Sequence, residues 1–125
     1  MDIPRQINFW RDGAAEEIEV AAELLKKKRQ RHALFFAHLA VEKMLKALVV
    51  KETKEVPPKI HNLLVLSRLA GLELPPAMDE YLRYFNLWNL EGRYPEMFDH
   101  PIDPRLAKRQ MGVAKEILAW LNLQF

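Results

Sequence analysis

One stretch of this chain, "FFAHLAVEKMLKALVV" (Phe35 to Val50), is apolar almost all the way round a helical repeat. Leu34, Ala37, Val41, Met44 and Leu48 form one stripe, and Phe35, Leu39, Leu45 and Val49 widen it beyond a single packing face. A helix with that pattern must be covered on several sides, which places it at the centre of a bundle. It is predicted from about Gln30 to Lys51, and the rest of the chain has to supply its cover.

The remainder also reads as helices, because apolar residues recur at three and four and do not alternate. Trp10, Ala14, Ile18, Ala21 and Leu25 mark a first helix from about Ile7 to Lys28. "TKEVPPK" (Thr53 to Lys59) breaks the pattern: Pro57 and Pro58 each lack a backbone donor and push their predecessors toward extended geometry. "HNLLVLSRLAG" predicts a short third helix, with His61 or Asn62 near its N-cap and Gly71 left-handed just past its end. Pro75 and Pro76 open a fourth, which carries Met78, Tyr81, Phe85 and Trp88 on one side. Asp103 before Pro104 is a start signal for a fifth, whose inward face is assigned to Ala107, Met111, Ala114, Leu118 and Leu121. A chain of 125 residues can bury one core, so the expectation is an all-α, antiparallel up-and-down bundle of about five helices forming one domain over residues 1–125.

Cysteine is absent, which removes disulfides, thiolate metal sites and thiol nucleophiles. "MDIPRQINFW" has no secretory character, and no stretch approaches the ~20 apolar residues of a membrane span, so a cytoplasmic protein with no membrane contact is expected. A net charge of +2 is too mild to mark a nucleic-acid binder, and no DNA partner is expected. The dense basic run "KKKRQR" (Lys26 to Arg31) suits a solvated helix C-terminus, with phosphate or RNA contact as the alternative. Tyr81, Tyr84, Phe85, Trp88, Tyr94 and Phe98 exceed one core-facing stripe, which leaves core filling and a self-association surface both open.

Inside the apolar second helix, His38, Glu42 and Lys46 step by four and share one line, with Lys43 nearby. That line reads either as a surface seam or as a polar strip facing a cleft. It is short of the three or four ligands a divalent ion needs, so neither metal nor other cofactor is expected. Glycine-rich phosphate loops and nucleophile elbows are missing. Attention therefore falls on "EGRYPEMFDH" (Glu91 to His100), predicted as a proline-bracketed connection because Gly92 and Pro95 disfavour a continuous helix. Arg93 can hold a phosphate bidentately and His100 can move a proton near neutral pH. Together they meet the minimum for metal-free RNA cleavage, in which His100 takes the 2′-OH proton and Arg93 stabilises the phosphorane. A purely structural turn is the alternative.

"AVEKMLKAL", "HNLL" and "RYPE", in that order and spacing, resemble the HEPN domain, the nucleotide-binding helical module of higher eukaryotes and prokaryotes. The resemblance covers nearly the whole chain. It implies a bundle that commonly dimerises, is often encoded beside a small nucleotidyltransferase and in many cases acts in toxin–antitoxin modules. Members with an Arg-x4-6-His motif are metal-independent ribonucleases with the motif on a helix at the dimer interface. Arg93 and His100 satisfy the spacing, but Tyr94 and Pro95 stand where a polar residue usually follows the arginine. The resemblance also implies a polar pocket of Glu42, Lys43, Lys46 and His61 near Arg93 and Tyr94. The expected function is thus a homodimeric nucleotide- or RNA-binding module with a nucleotidyltransferase partner; the alternatives are a ribonuclease and a non-catalytic interaction bundle.

Overall fold

A computed structural model describes residues 1–98 and 100–125. Its elements are five α-helices: α1 (Ile3–Lys26), α2 (Gln30–Thr53), α3 (Leu63–Leu69), α4 (Pro76–Arg93) and α5 (Pro104–Asn122), with a 3-10 turn at Pro95–Met97. No strand occurs among the described residues. The up-and-down bundle expected from the periodicity is the fold found.

α1 begins earlier than Ile7 because Asp2 caps it, accepting from the Arg5 amide at 3.1 Å with a proline in the first turn. The same Asp-then-Pro device starts α5, where Asp103 accepts from the Arg105 amide at 2.8 Å. Both caps satisfy amides that a helix start leaves without partners. α1 turns into α2 over three residues, with Lys28 in the left-handed region at φ 62°, so the two long helices pack antiparallel. α2 is the central element: it contacts α1, α3, α4 and α5, and Ala33, Leu34, Ala37, Ala40, Val41, Leu45, Ala47 and Val50 are fully buried. Gly71 ends α3 with φ 69°, the left-handed closure read from its position.

Two expectations are corrected. On α5 the fully buried position is Ile117, while Leu118 is only partly covered; helical spacing alone would place Leu118 nearer the core direction, and the packing selects its apolar neighbour. On α4 the helix runs straight through Glu91 and Gly92 to Arg93. Gly92 has a packing role there: a Cβ at this position would overlap the Phe35 ring of α2. Gly92→Ala is therefore expected to destabilise the fold by about 1–3 kcal/mol through overpacking. Gly112→Ala on α5, where a Cβ meets open space, should be neutral or stabilising by up to ~1 kcal/mol. Paired urea titrations of the two variants check this.

The aromatic crowding divides. Phe85 and Trp88 fill the core, whereas Tyr84 and Tyr94 are exposed. No helix among the described residues is long and apolar enough to cross a membrane.

Candidate functional site

Five polar side chains, from α2, α4 and the segment that leads into α3, meet where the middle of α2, the start of α3 and the end of α4 converge. Glu42 is the hub. Its Oε2 accepts from Lys46 Nζ at 3.0 Å, and its Oε1 faces His61 Nδ1 at 3.0 Å and His38 Nδ1 at 3.9 Å. On the far side of His61, Arg93 Nη2 approaches Nε2 at 3.1 Å. A guanidinium can only donate, so His61 accepts at Nε2 and must carry its proton on Nδ1, donated to Glu42. The result is a line of alternating groups: Lys46 ammonium, Glu42 carboxylate, His61 imidazole, Arg93 guanidinium.

The helices explain why residues so distant in sequence meet. Asn62 caps α3, its Oδ1 accepting from the Leu64 amide at 3.0 Å and from the Val65 amide at 3.3 Å. Asn86 of α4 then clamps that start: its Oδ1 accepts from the Leu63 amide at 2.9 Å and its Nδ2 donates to Asn62 Oδ1 at 3.2 Å. Asn86, Asn89 and Arg93 fall at i, i+3 and i+7, along one face of α4. Asn89 Oδ1 accepts from Arg93 Nε at 3.0 Å, and the guanidinium carbon sits 5.7 Å from the centre of the Phe35 ring. Fixing α3 to α4 one turn before Asn89 is what brings His61 under Arg93.

Burial grades along the line. Glu42 and Lys46 are 4% and 6% exposed, and Lys46 Nζ lies 5.5 Å from the centre of the Trp10 ring of α1, which closes the inner end. The outer end is open, with Arg93 and Tyr94 exposed. His38 is 1% exposed, and burial pushes its pKa down to about 4 although the Glu42 charge pulls the other way. It is a neutral imidazole at physiological pH.

The seam reading of His38, Glu42 and Lys46 is overturned, since all three are buried. Of the residues singled out in the sequence, Glu42, Lys46, His61 and Arg93 come together, and Tyr94 follows Arg93 at the open end. Lys43 does not join them: it lies one residue round the helix and pairs with Glu17 of α1 at 3.4 Å. His100 is exposed, no hydrogen bond links its ring to Arg93 among the described residues, and its carbonyl accepts from Arg31 Nη2 at 2.8 Å. Arg31 also pairs with the buried Glu91 at 3.2 Å. One member of the basic run thus ties the segment after α4 to the start of α2. Beside it, Arg29, Arg31 and His32 line a cleft of about 290 Å³ with Pro95 and Pro101. Sequence reasoning missed Asn86 and Asn89, although Asn89 stands four before Arg93, a spacing that signals a side-chain pair on one helix face. Among the described residues no three His, Asp or Glu side chains are grouped to hold a metal ion.

The charged line is carried by α2, α4 and the segment entering α3 of a five-helix bundle. The HEPN domain family model matches residues 7–124, nearly the whole chain, and the chain belongs to that family. Among solved structures it is similar to TT1696 from Thermus thermophilus, with a TM-score of 0.79 and 23% identity over 96% of this chain and 98% of that one. That likeness concerns the fold. No curated protein matches the sequence.

Proposed function

We propose that this HEPN protein binds the phosphate of a nucleotide or of RNA at Arg93, as a homodimeric module that works with a small nucleotidyltransferase in a toxin–antitoxin type of system. The observation that carries the phosphate reading is the hold on Arg93. Nε and Nη2 are engaged by Asn89 and His61, which aims the guanidinium, and among the described residues no hydrogen bond takes up Nη1, whose donors face a ligand. A preformed fork of this kind loses less entropy on meeting a phosphate than a free side chain would. The basic cleft beside the 95–101 segment favours a ligand with more than one phosphate, and Tyr94 offers a ring for a base. Family membership supports the partner assignment and the dimer.

Calorimetric titration with ATP and with a short single-stranded RNA tests the reading. Arg93→Ala is expected to weaken binding at least ~10-fold, the loss of a charge-assisted pair worth about 1.5–3 kcal/mol. Its Tm should hardly move, because the side chain is exposed. Unchanged affinity in that variant would remove Arg93 from the site.

The Glu42–His61 contact gives a ribonuclease reading a specific footing. A carboxylate on Nδ1–H fixes the ring and orients Nε2, as in other oriented imidazole bases. If Arg93 transfers to a phosphate, His61 Nε2 becomes free to accept a 2′-OH proton. RNA incubated in EDTA would then yield 2′,3′-cyclic phosphate ends that disappear in His61→Gln. Ends that disappear in His100→Ala and persist in His61→Gln would instead select the Arg93/His100 pair.

A further inference from the structure

α1 and α5 both pack on α2 and touch each other little, which leaves a furrow of about 510 Å³ between them. Its floor is aliphatic: Ala22 and Leu25 come from α1, and Met111 and Gly112 from α5. Lys26 and Lys28 edge it at the end of α1, and Lys108 and Lys115 edge it along α5. No acidic residue lines it, and none of the four lysines is in an ion pair among the described residues. Glu116, the carboxylate beside Lys115 in sequence, interacts with Tyr81 of α4 instead. The positive charge of the furrow is thus unanswered within the chain. α5 meets it with Pro104, Lys108, Met111, Gly112 and Lys115, whose spacing keeps them on one helix face roughly 16 Å long at 1.5 Å per residue.

Gly112 is the feature of this face that no internal contact explains. It is exposed in the interior of α5, where glycine costs a helix roughly 1 kcal/mol relative to alanine. At Gly92 a Cβ would overlap the Phe35 ring, whereas at Gly112 it would meet nothing within 4 Å. What the missing side chain does provide is a low floor midway between Lys108 and Lys115, where a second backbone can come close.

We infer that this furrow docks a helix of another protein, one with an apolar face and acidic edges. Apolar side chains at i, i+3, i+4 and i+7 would lie on Leu25 and Met111 and cross Gly112, while carboxylates on the two flanks meet the lysines. The floor supplies affinity and the charged edges set the approach and register. The lining separates this occupant from two others. A nucleic-acid strand gains from rings on which bases stack, and no aromatic residue lines the furrow. A second copy seated here on a two-fold axis would bring the same lysines face to face. Arg93, His61 and Glu42 line neither wall, so the contact is independent of the phosphate site.

Fluorescence anisotropy with a labelled model peptide of about 16 residues, leucines on one face and glutamates on both edges, tests the inference. Wild type is expected to bind it and to reject a peptide with lysines in place of the glutamates. K108E/K115E and Gly112→Leu should each weaken the acidic peptide ~10-fold or more, the first by reversing one edge and the second by filling the floor. Their Tm should not fall, because these positions are exposed and leucine is the better helix former. A peptide with glutamates on one edge and lysines on the other should bind K108E/K115E ~10-fold better than it binds wild type, a gain that damage to the fold cannot produce. K59E/R68E changes the net charge equally at exposed positions outside the furrow and should leave binding as it is. Failure of wild type to bind the acidic peptide overturns the proposal. So does binding that Gly112→Leu leaves intact, or that K59E/R68E weakens as much as K108E/K115E. An oligouridylate that the peptide displaces and that Gly112→Leu releases would make the furrow a nucleic-acid track, and a homodimer dispersed by Gly112→Leu would make the occupant a second copy; either result overturns it too. Arg93→Ala should bind the peptide as wild type does. Peptide binding kept while ATP binding is absent in wild type would remove only the phosphate reading, and the converse would remove only this contact.

Discussion

Glu42→Ala is expected to be the most damaging single substitution in this protein, lowering the unfolding free energy by about 3–5 kcal/mol. The carboxylate is 4% exposed and faces an ammonium at 3.0 Å and an imidazole at 3.0 Å. Removing it leaves the Lys46 charge inside the bundle beside Trp10 with no counter-ion, and a buried charge without a partner is far costlier than the pair was worth. For a chain of this length the loss corresponds to a fall in Tm of roughly 10–20 °C. The double variant Glu42→Leu/Lys46→Met removes both charges and replaces them with apolar groups of similar bulk, so its stability should return to near wild type. Ligand binding should not return with it. His61 would have lost the acceptor that fixes its tautomer, and Arg93 would have lost an oriented partner. Urea midpoints beside calorimetric affinities separate the two effects, and a double variant as unstable as Glu42→Ala would contradict the account.

The sequence made the line of His38, Glu42 and Lys46 visible but left its surroundings open. A four-residue step fixes that three side chains share a face; whether that face is covered depends on what packs there. Trp10 and His61 provide the cover, and they come from elements 32 residues before and 19 residues after Glu42. Lys43 shows the same limit from the other side, since one step of about 100° along the helix carries it from the cluster to Glu17 of α1. The helices themselves were legible because their signals are local: the Asp-Pro start of α5, a glycine closure, paired prolines; the Asp2 cap that starts α1 was not read as one. The register of α5 was less so, because Ile117 and Leu118 are both apolar and only packing chooses between them. The end of α4 was misread for a physical reason too. A glycine near a helix end ordinarily signals termination, but Gly92 is demanded by the close approach of Phe35. That close approach also sets where Arg93 emerges, so a residue read as punctuation is part of what aims the guanidinium.

Acid should unfold this protein through His38. In the native state burial holds this imidazole neutral, with a pKa of about 4, whereas in the unfolded chain it returns to 6.5. The unfolded state therefore binds more protons between these values, and stability falls as pH drops from about 6.5 toward 4. Below that both states are protonated and this contribution stops growing. A shift of this size corresponds to roughly 3 kcal/mol across the window. The groups around it act in both directions: Glu42 favours the protonated ring, as does the Asn86 side chain, while His61 and Arg93 oppose it, and burial outweighs them all. His38→Leu keeps the volume near that of the ring and removes the titration. Urea midpoints at pH 7.5, 5.5 and 4.5 should then fall much less steeply in the variant than in wild type, with the difference confined to that window. Parallel pH profiles would mean that His38 is protonated in the folded state, which its position 3.9 Å from Glu42 Oε1 would allow only if the carboxylate held the proton against burial. That outcome would change the charge at the hub of the site and with it the chain of donors that ends at Arg93.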